Sequence, residues 1–171
     1  MTEITWREII RDVRDRLTDK VLVLDSTYFT TVAPFDYPAE SPEQRITRIV
    51  QAREECSACG LGSLFIGFIG IGGNPVYYNR DFHTQIIQSL LPYFDRETLD
   101  LVEMFFEGYE GAFIGMSEET RPKAHDLGML VAFFKQDHET YPERLLAIFD
   151  NIEKNNGRFI PEIRLDPDDA E

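Results

Sequence analysis

The sequence predicts a mainly α protein, a single compact helical domain of about six or seven helices around a buried apolar segment rich in small residues. Three observations carry that expectation. Apolar residues recur at helical spacing along most of the chain. Ser, Thr or Asp stands just ahead of several of these stripes, with Glu or Gln three residues on, as a capped helix start requires. Finally, Cys56 to Gly73, CSACGLGSLFIGFIGIGG, has no charged residue and lies between long polar segments, so it is where the chain turns inward.

In chain order, Thr5-Trp6-Arg7-Glu8 has capping-box spacing, and Trp6, Ile9, Ile10, Val13 and Leu17 then share one face of a first helix. Val21–Val32 reads either as an extended segment or as a short helix followed by a loop, and Pro34, Pro38 and Pro42 punctuate what comes next. Ser41-Pro42-Glu43-Gln44 is the strongest start signal in the sequence. It combines a cap, a proline at the first helical position and a reciprocal Gln. Ile46, Ile49 and Val50 give this helix its inward stripe, and it is expected to run into Cys56 and bend near Gly60.

From Leu61 to Ile71 the apolar pattern is continuous, which periodicity alone cannot assign to helix or strand. Gly60, Ser63, Gly67 and Gly70 fall three or four apart, giving a helix one smooth face that another backbone can approach. A buried helix ending at Gly72-Gly73 is therefore expected. Asn79 or Asp81 starts another, carrying Phe82, Ile86, Ile87, Leu90 and Leu91 and halted near Pro92. Asp95 caps the next, with Leu99, Leu101, Val102, Phe105 and Phe106 inward and Gly108 and Gly111 at its end. An irregular connection then leads to Ser117. A helix from Thr120–Pro122 carries Ala124, Leu127, Val131 and Phe134. Thr140-Tyr141-Pro142-Glu143 opens the last, which stops at Asn155-Asn156-Gly157. Residues 1–165 form the expected domain and the acidic 166–171 a frayed tail.

Acids outnumber bases 31 to 17, a net charge of −14. Such a surface repels phosphate backbones, so direct nucleic-acid binding is disfavoured, whereas a basic protein partner is attracted. No secretory leader is legible at the N-terminus, and the apolar run of 61–73 is shorter than the roughly 20 residues a membrane span needs. Two cysteines without such a leader suggest free thiols in a reducing, cytoplasmic setting, with no membrane partner.

The charge is concentrated. Between Tyr93 and Thr120 stand eight acids (Asp95, Glu97, Asp100, Glu103, Glu107, Glu110, Glu118 and Glu119) against one base, Arg96. Helical spacing puts Asp100, Glu103 and Glu107 on one face, opposite Leu101 and Phe105. That face is either plain solvated surface or a patch for a basic partner. A di-iron type carboxylate site is disfavoured because no Glu sits three residues before a histidine.

Cys56-Ser57-Ala58-Cys59 can chelate zinc or form a redox pair. Zinc would need further ligands, for which only His83, His125 and His138 offer nitrogen. With the pair read at a helix end, the dipole disfavours thiolate, and two small buried thiols entering a tight core is the plainer reading. Gly67-Phe68-Ile69-Gly70 lacks the Lys-Ser/Thr of a phosphate loop, and GxGxxG, GxSxG and HExxH are all missing. His125-Asp126 is an isolated pair of the kind common on helix surfaces.

Two fragments carry a resemblance: Cys56, Cys59, Gly62 and Phe65 as CxxCxxGxxF, and Leu145, Ile148, Asn151, Ile152, Asn155, Gly157, Phe159 and Pro161 near the end. Together with Phe94-Asp95 and Leu101-Val102-Glu103 they resemble small uncharacterised bacterial and phage proteins, a resemblance that implies no activity.

The leading expectation is thus an acidic, regulatory or inhibitory binding module. Its Asp95–Glu119 region would meet a basic macromolecular surface, in one version by mimicking nucleic acid. No cofactor follows from it. The alternative is a metal- or small-ligand-binding enzyme using Cys56, Cys59 and a histidine, His83 foremost, with zinc as the metal. A third expectation is a homo-oligomer whose chains pack through the small-residue face of 60–70.

Overall fold

The computed structural model describes residues 3–31, 40–76, 81–108 and 124–162, the side chains of 124–126 excepted. Within them lie seven helices: α1 (Trp6–Thr18), α2 (Pro42–Gln51), α3 (Gly60–Gly70), α4 (Phe82–Leu90), α5 (Arg96–Glu107), α6 (Ala124–Asp137) and α7 (Tyr141–Lys154). Three short strands accompany them: β1 (Leu22–Leu24), β2 (Thr30–Thr31) and β3 (Cys56–Ala58). The mainly α expectation holds. The irregular connection expected up to Ser117, and the acidic tail, lie outside the described residues.

The starts of the helices follow from local chemistry. Thr5 and Ser41 each form a complete capping box, with Glu8 and Gln44 reaching back. Asp81, Asp95 and Thr140 accept from the third backbone N–H of their helices. Each cap satisfies donors that would otherwise be orphaned, an effect of about 1 kcal/mol apiece.

α3 is the axis of the molecule. Every residue from Gly60 to Ile69 is buried, and α1, α2, α4 and α5 all pack around it. Its glycines permit backbone contact. A Cβ on Gly67 would lie 2.7 Å from the Ile9 carbonyl of α1, and one on Gly62 would collide with the carbonyl of Tyr28. The small-residue face expected to join chains is therefore filled within the chain, which removes the basis for oligomerisation through that face.

The path into α3 corrects the sequence reading. α2 stops at Gln51, where Ala52 caps it and Arg53 takes up left-handed backbone (φ 53°). The chain then enters β3, which lies between β1, parallel to it, and β2, antiparallel. Leu22 pairs with Cys56 and Thr31 also with Cys56. The described part of that segment, 21–31, is thus extended at Leu22–Leu24 and Thr30–Thr31, with a loop between. A three-residue strand whose partners lie far away in sequence leaves no local periodicity to read.

Two buried arginines tie the layers. Arg16 pairs with Asp12 at 2.6 Å and donates to the Val50 carbonyl at 2.9 Å, fastening α1 to the end of α2. Arg144 donates to the carbonyls of His138, Glu139 and Phe106 at 2.9, 3.1 and 3.2 Å, joining the α6–α7 turn to the end of α5. After α7 the chain folds back. Asn151 both donates to and accepts from the backbone of Ile160, at 2.7 and 2.8 Å. The Phe159 N–H reaches Thr98 Oγ1 at 3.1 Å, and its ring joins the core.

Candidate functional site

At the head of α3 a set of ionisable side chains from four elements converges. β1 delivers the chain to Asp25, whose carboxylate accepts from the N–H and hydroxyl of Thr27 at 2.8 and 2.6 Å and so tightens a turn. The loop is seated on α3 because Cys59 N–H donates to the Thr27 carbonyl at 2.5 Å, and because Gly62 leaves room for Tyr28. Tyr28 then projects to α5, where its hydroxyl donates to Glu103 Oε1 at 2.5 Å. From α4, His83 Nε2 lies 3.1 Å from Glu103 Oε2. Tyr28 also packs edge to face on Phe82, with ring centroids 6.2 Å apart, and tilted over His83 at 5.7 Å.

Glu103 is therefore the hub. Burial alone pushes its carboxyl up, but the hydrogen bonds from His83 and Tyr28, with the charges of His83 and Arg96, outweigh burial and hold it below the usual range. The same bond raises His83 above the ordinary imidazole value against a smaller opposing effect of burial. Burial, the bond to Glu103 and its charge drive the Tyr28 phenol well above its usual value. One turn on, Glu107 goes the other way. Burial, then the charge of Glu103, lift it to about 7, with Arg144 opposing and Asp25 adding a little. Two carboxylates on adjacent turns thus titrate far apart, an arrangement that suits a proton donor beside a fixed anion.

The cysteines sit beside this cluster. Cys56 is in β3, and Cys59 is the N-cap of α3, its Sγ accepting from Gly62 N–H at 3.4 Å. The sequence reading put the pair at a helix end where the dipole opposes thiolate. In the structure Cys59 stands at the favourable end. Burial still decides the outcome: it pushes Cys59 up to about 12 against the help of Gly62 N–H, with Glu107 and Glu103 adding to the rise, and it pushes Cys56 up to about 11. Both are buried free thiols. Among the described residues no group of three or more His, Cys, Asp or Glu is placed to hold a metal ion, so Cys56, Cys59 and His83 are not gathered into one.

The acids expected to face a partner divide sharply. Asp95 is the α5 N-cap and accepts from Arg158 at 3.0 Å, and Glu97 lies 3.9 Å from the same guanidinium. Asp100 is 3% exposed and bound by Arg96 at 2.9 Å, so it is a core group rather than contact surface. Glu103 and Glu107 belong to the cluster. Glu110, Glu118 and Glu119 lie outside the described residues. Sequence reasoning missed Tyr28 altogether. Its only local signal is an aromatic in a Thr-rich loop, and its role depends on a helix 75 positions away.

The two fragments behind the resemblance have structural work to do. Cys59 caps, Gly62 admits the loop, Phe65 fills the core, and Asn151, Gly157 and Phe159 fold the last segment back on α7 and α5. No protein-family model, curated protein or solved structure matches the chain.

Proposed function

We propose that the protein is an acidic regulatory or inhibitory module that binds a basic macromolecular surface, in one version by presenting carboxylates where a basic groove expects phosphates. The observation that carries this reading is how the fold disposes of charge. Among the described residues the buried charged side chains are Arg16, Arg144 and Asp100. Two bases and one acid are thus fully enclosed among the described residues, with Glu103 and Glu107 partly so, and burial does not offset the −14 of the chain. Such a surface steers basic partners and repels nucleic acid. The free thiols fit a cytoplasmic setting, and no described helix is long and apolar enough to cross a membrane.

The experiment is affinity capture at low and high salt with the wild type and a charge-reversed Glu97→Lys/Glu153→Lys variant, both at exposed or half-exposed positions. A basic partner held at low salt, released at high salt and lost in the variant is the expected result. A partner retained regardless of salt, or none at all, refutes the assignment.

A second reading is favoured by one observation, the split between ionised Glu103 and protonatable Glu107 beside His83 and Tyr28. In it the cluster handles a proton on a small ligand, as the alternative enzyme would. Ligand screening by chemical-shift change at His83, repeated with Glu103→Gln, tests it. Metal analysis of the purified protein tests the zinc version.

A further inference from the structure

One groove in the described surface combines an aromatic floor with an acidic rim. It has a volume of about 410 Å3 and runs between α6, α7 and the segment that follows α7. Its floor is aromatic. Phe105 meets Phe134 and Phe159 edge to face at 5.2 and 5.0 Å, so the three rings brace one another. Of the three, Phe134 stays half-buried, the other two being buried. The rim is acidic: Asp137, Asp150 and Glu162 line it, and Lys154 is the one Lys or Arg among the described lining residues. Asp150 and Glu162 have 71% and 74% of their side chains exposed, and they pair with Arg14 and Lys154. Pairs this open cost little to exchange for others. Met129, Leu146 and Ile160, at 66%, 40% and 46% exposure, are exposed apolar residues of the same three elements.

We propose that this groove docks a short basic segment of a partner protein, seating one or two large apolar side chains on the Phe105–Phe134–Phe159 floor and Lys or Arg on the acidic rim. The inference rests on the binding function proposed above and gives it a place, between α6, α7 and the segment that follows α7. The aromatic floor alone would accept any apolar group. The carboxylates make the choice, attracting Lys and Arg and repelling acidic segments. The volume falls in the range that holds a few large side chains.

The test uses labelled synthetic peptides and fluorescence anisotropy at low salt. One peptide interleaves Phe with Lys, a second has the same charge without Phe, and a third replaces Lys by Glu. The Phe–Lys peptide is expected to bind about tenfold tighter than either comparator. Ala147→Arg, which fills the groove and adds positive charge, should weaken it about tenfold, and Asp150→Lys, at an exposed position, about threefold through charge alone. Thermal melts accompany both, and Asp150→Lys decides the matter if Ala147→Arg melts early. Equal affinity for the two Lys peptides, insensitive to either variant, overturns the groove and leaves the acidic binding function standing. No binding of any Lys peptide overturns both. Equal binding of the Phe–Glu peptide, or a dimer that Ala147→Arg dissolves, overturns the proposal in favour of an uncharged apolar ligand or a second copy.

Discussion

The two halves of α5 carry the same kind of charge and lead opposite lives. At its start the N-cap Asp95 and Glu97 both meet the guanidinium of Arg158. From Asp100 onward the carboxylates are drawn in, Asp100 to Arg96, Glu103 to Tyr28 and His83, and Glu107 to a site where it is half-protonated near neutrality. Packing separates them: the loop 25–29 laid across the head of α3 reaches Glu103 through Tyr28, while Asp100 is held by Arg96. Carboxylates along a helix thus predict how much charge the chain carries, and the packing of neighbouring elements determines how much of it a partner can touch.

The comparison breaks most visibly at Asp100. Asp100→Lys places a second cation beside Arg96 in a buried site and should cost about 4 kcal/mol by chemical denaturation, while Glu97→Lys on the open half should stay within about 0.5 kcal/mol. Equal effects would show that the two halves are not different environments. Next comes the loop. Gly62→Ala drives a methyl into the Tyr28 carbonyl, so the loop must lift, and a loss of about 3 kcal/mol is expected. The His83 resonances should move with it if the loop does hold the cluster together.

Glu103→Gln keeps the shape but removes the charge that Tyr28 and His83 share, with an expected loss of about 1.5 kcal/mol. It should also lower the His83 pKa, which imidazole NMR reads directly. His83, raised in the fold, contributes stability that is complete below its unfolded value and is lost as pH rises through the folded one. The smallest effect is at Glu107. Its folded pKa of about 7 lies above the unfolded value of 4.5, so the fold holds the extra proton and stability falls as pH rises between the two. Glu107→Gln should flatten that decline and gain at most about 1 kcal/mol at alkaline pH, since the group is partly open to solvent. A wild-type stability profile already flat from pH 4.5 to 7 would contradict the enclosed environment assigned to Glu107.

Much of the fold was legible because its signals are local. Thr5 with Glu8, Ser41 with Gln44, and Asp95 with Thr98 act within one helical turn, and the α1 stripe of Ile9, Ile10 and Val13 needs no knowledge of what it packs against. The glycine spacing of α3 was legible for the same reason. Cys59 escaped notice as a cap because cysteine is not among the residues normally read as one. β3 escaped because its order comes from Leu22 and Thr31. The Tyr28–Glu103–His83 cluster was hardest, since three elements far apart in sequence must fold before it exists. The acids of α5 were legible as charge but not as surface, which is why a contact face was expected where half of it is interior.

The return of the chain after α7 bears on how the protein is made. Phe159 closes the aromatic floor against Phe105, and Arg7 of α1 reaches Asn156 at 3.1 Å. α1 therefore waits for the segment that follows α7 before its contacts are complete. Until Phe159 emerges, the Phe105 side of α5 stays open to water and to other chains. During synthesis the Phe105 face therefore lacks one of its aromatic covers until the segment after α7 has been made.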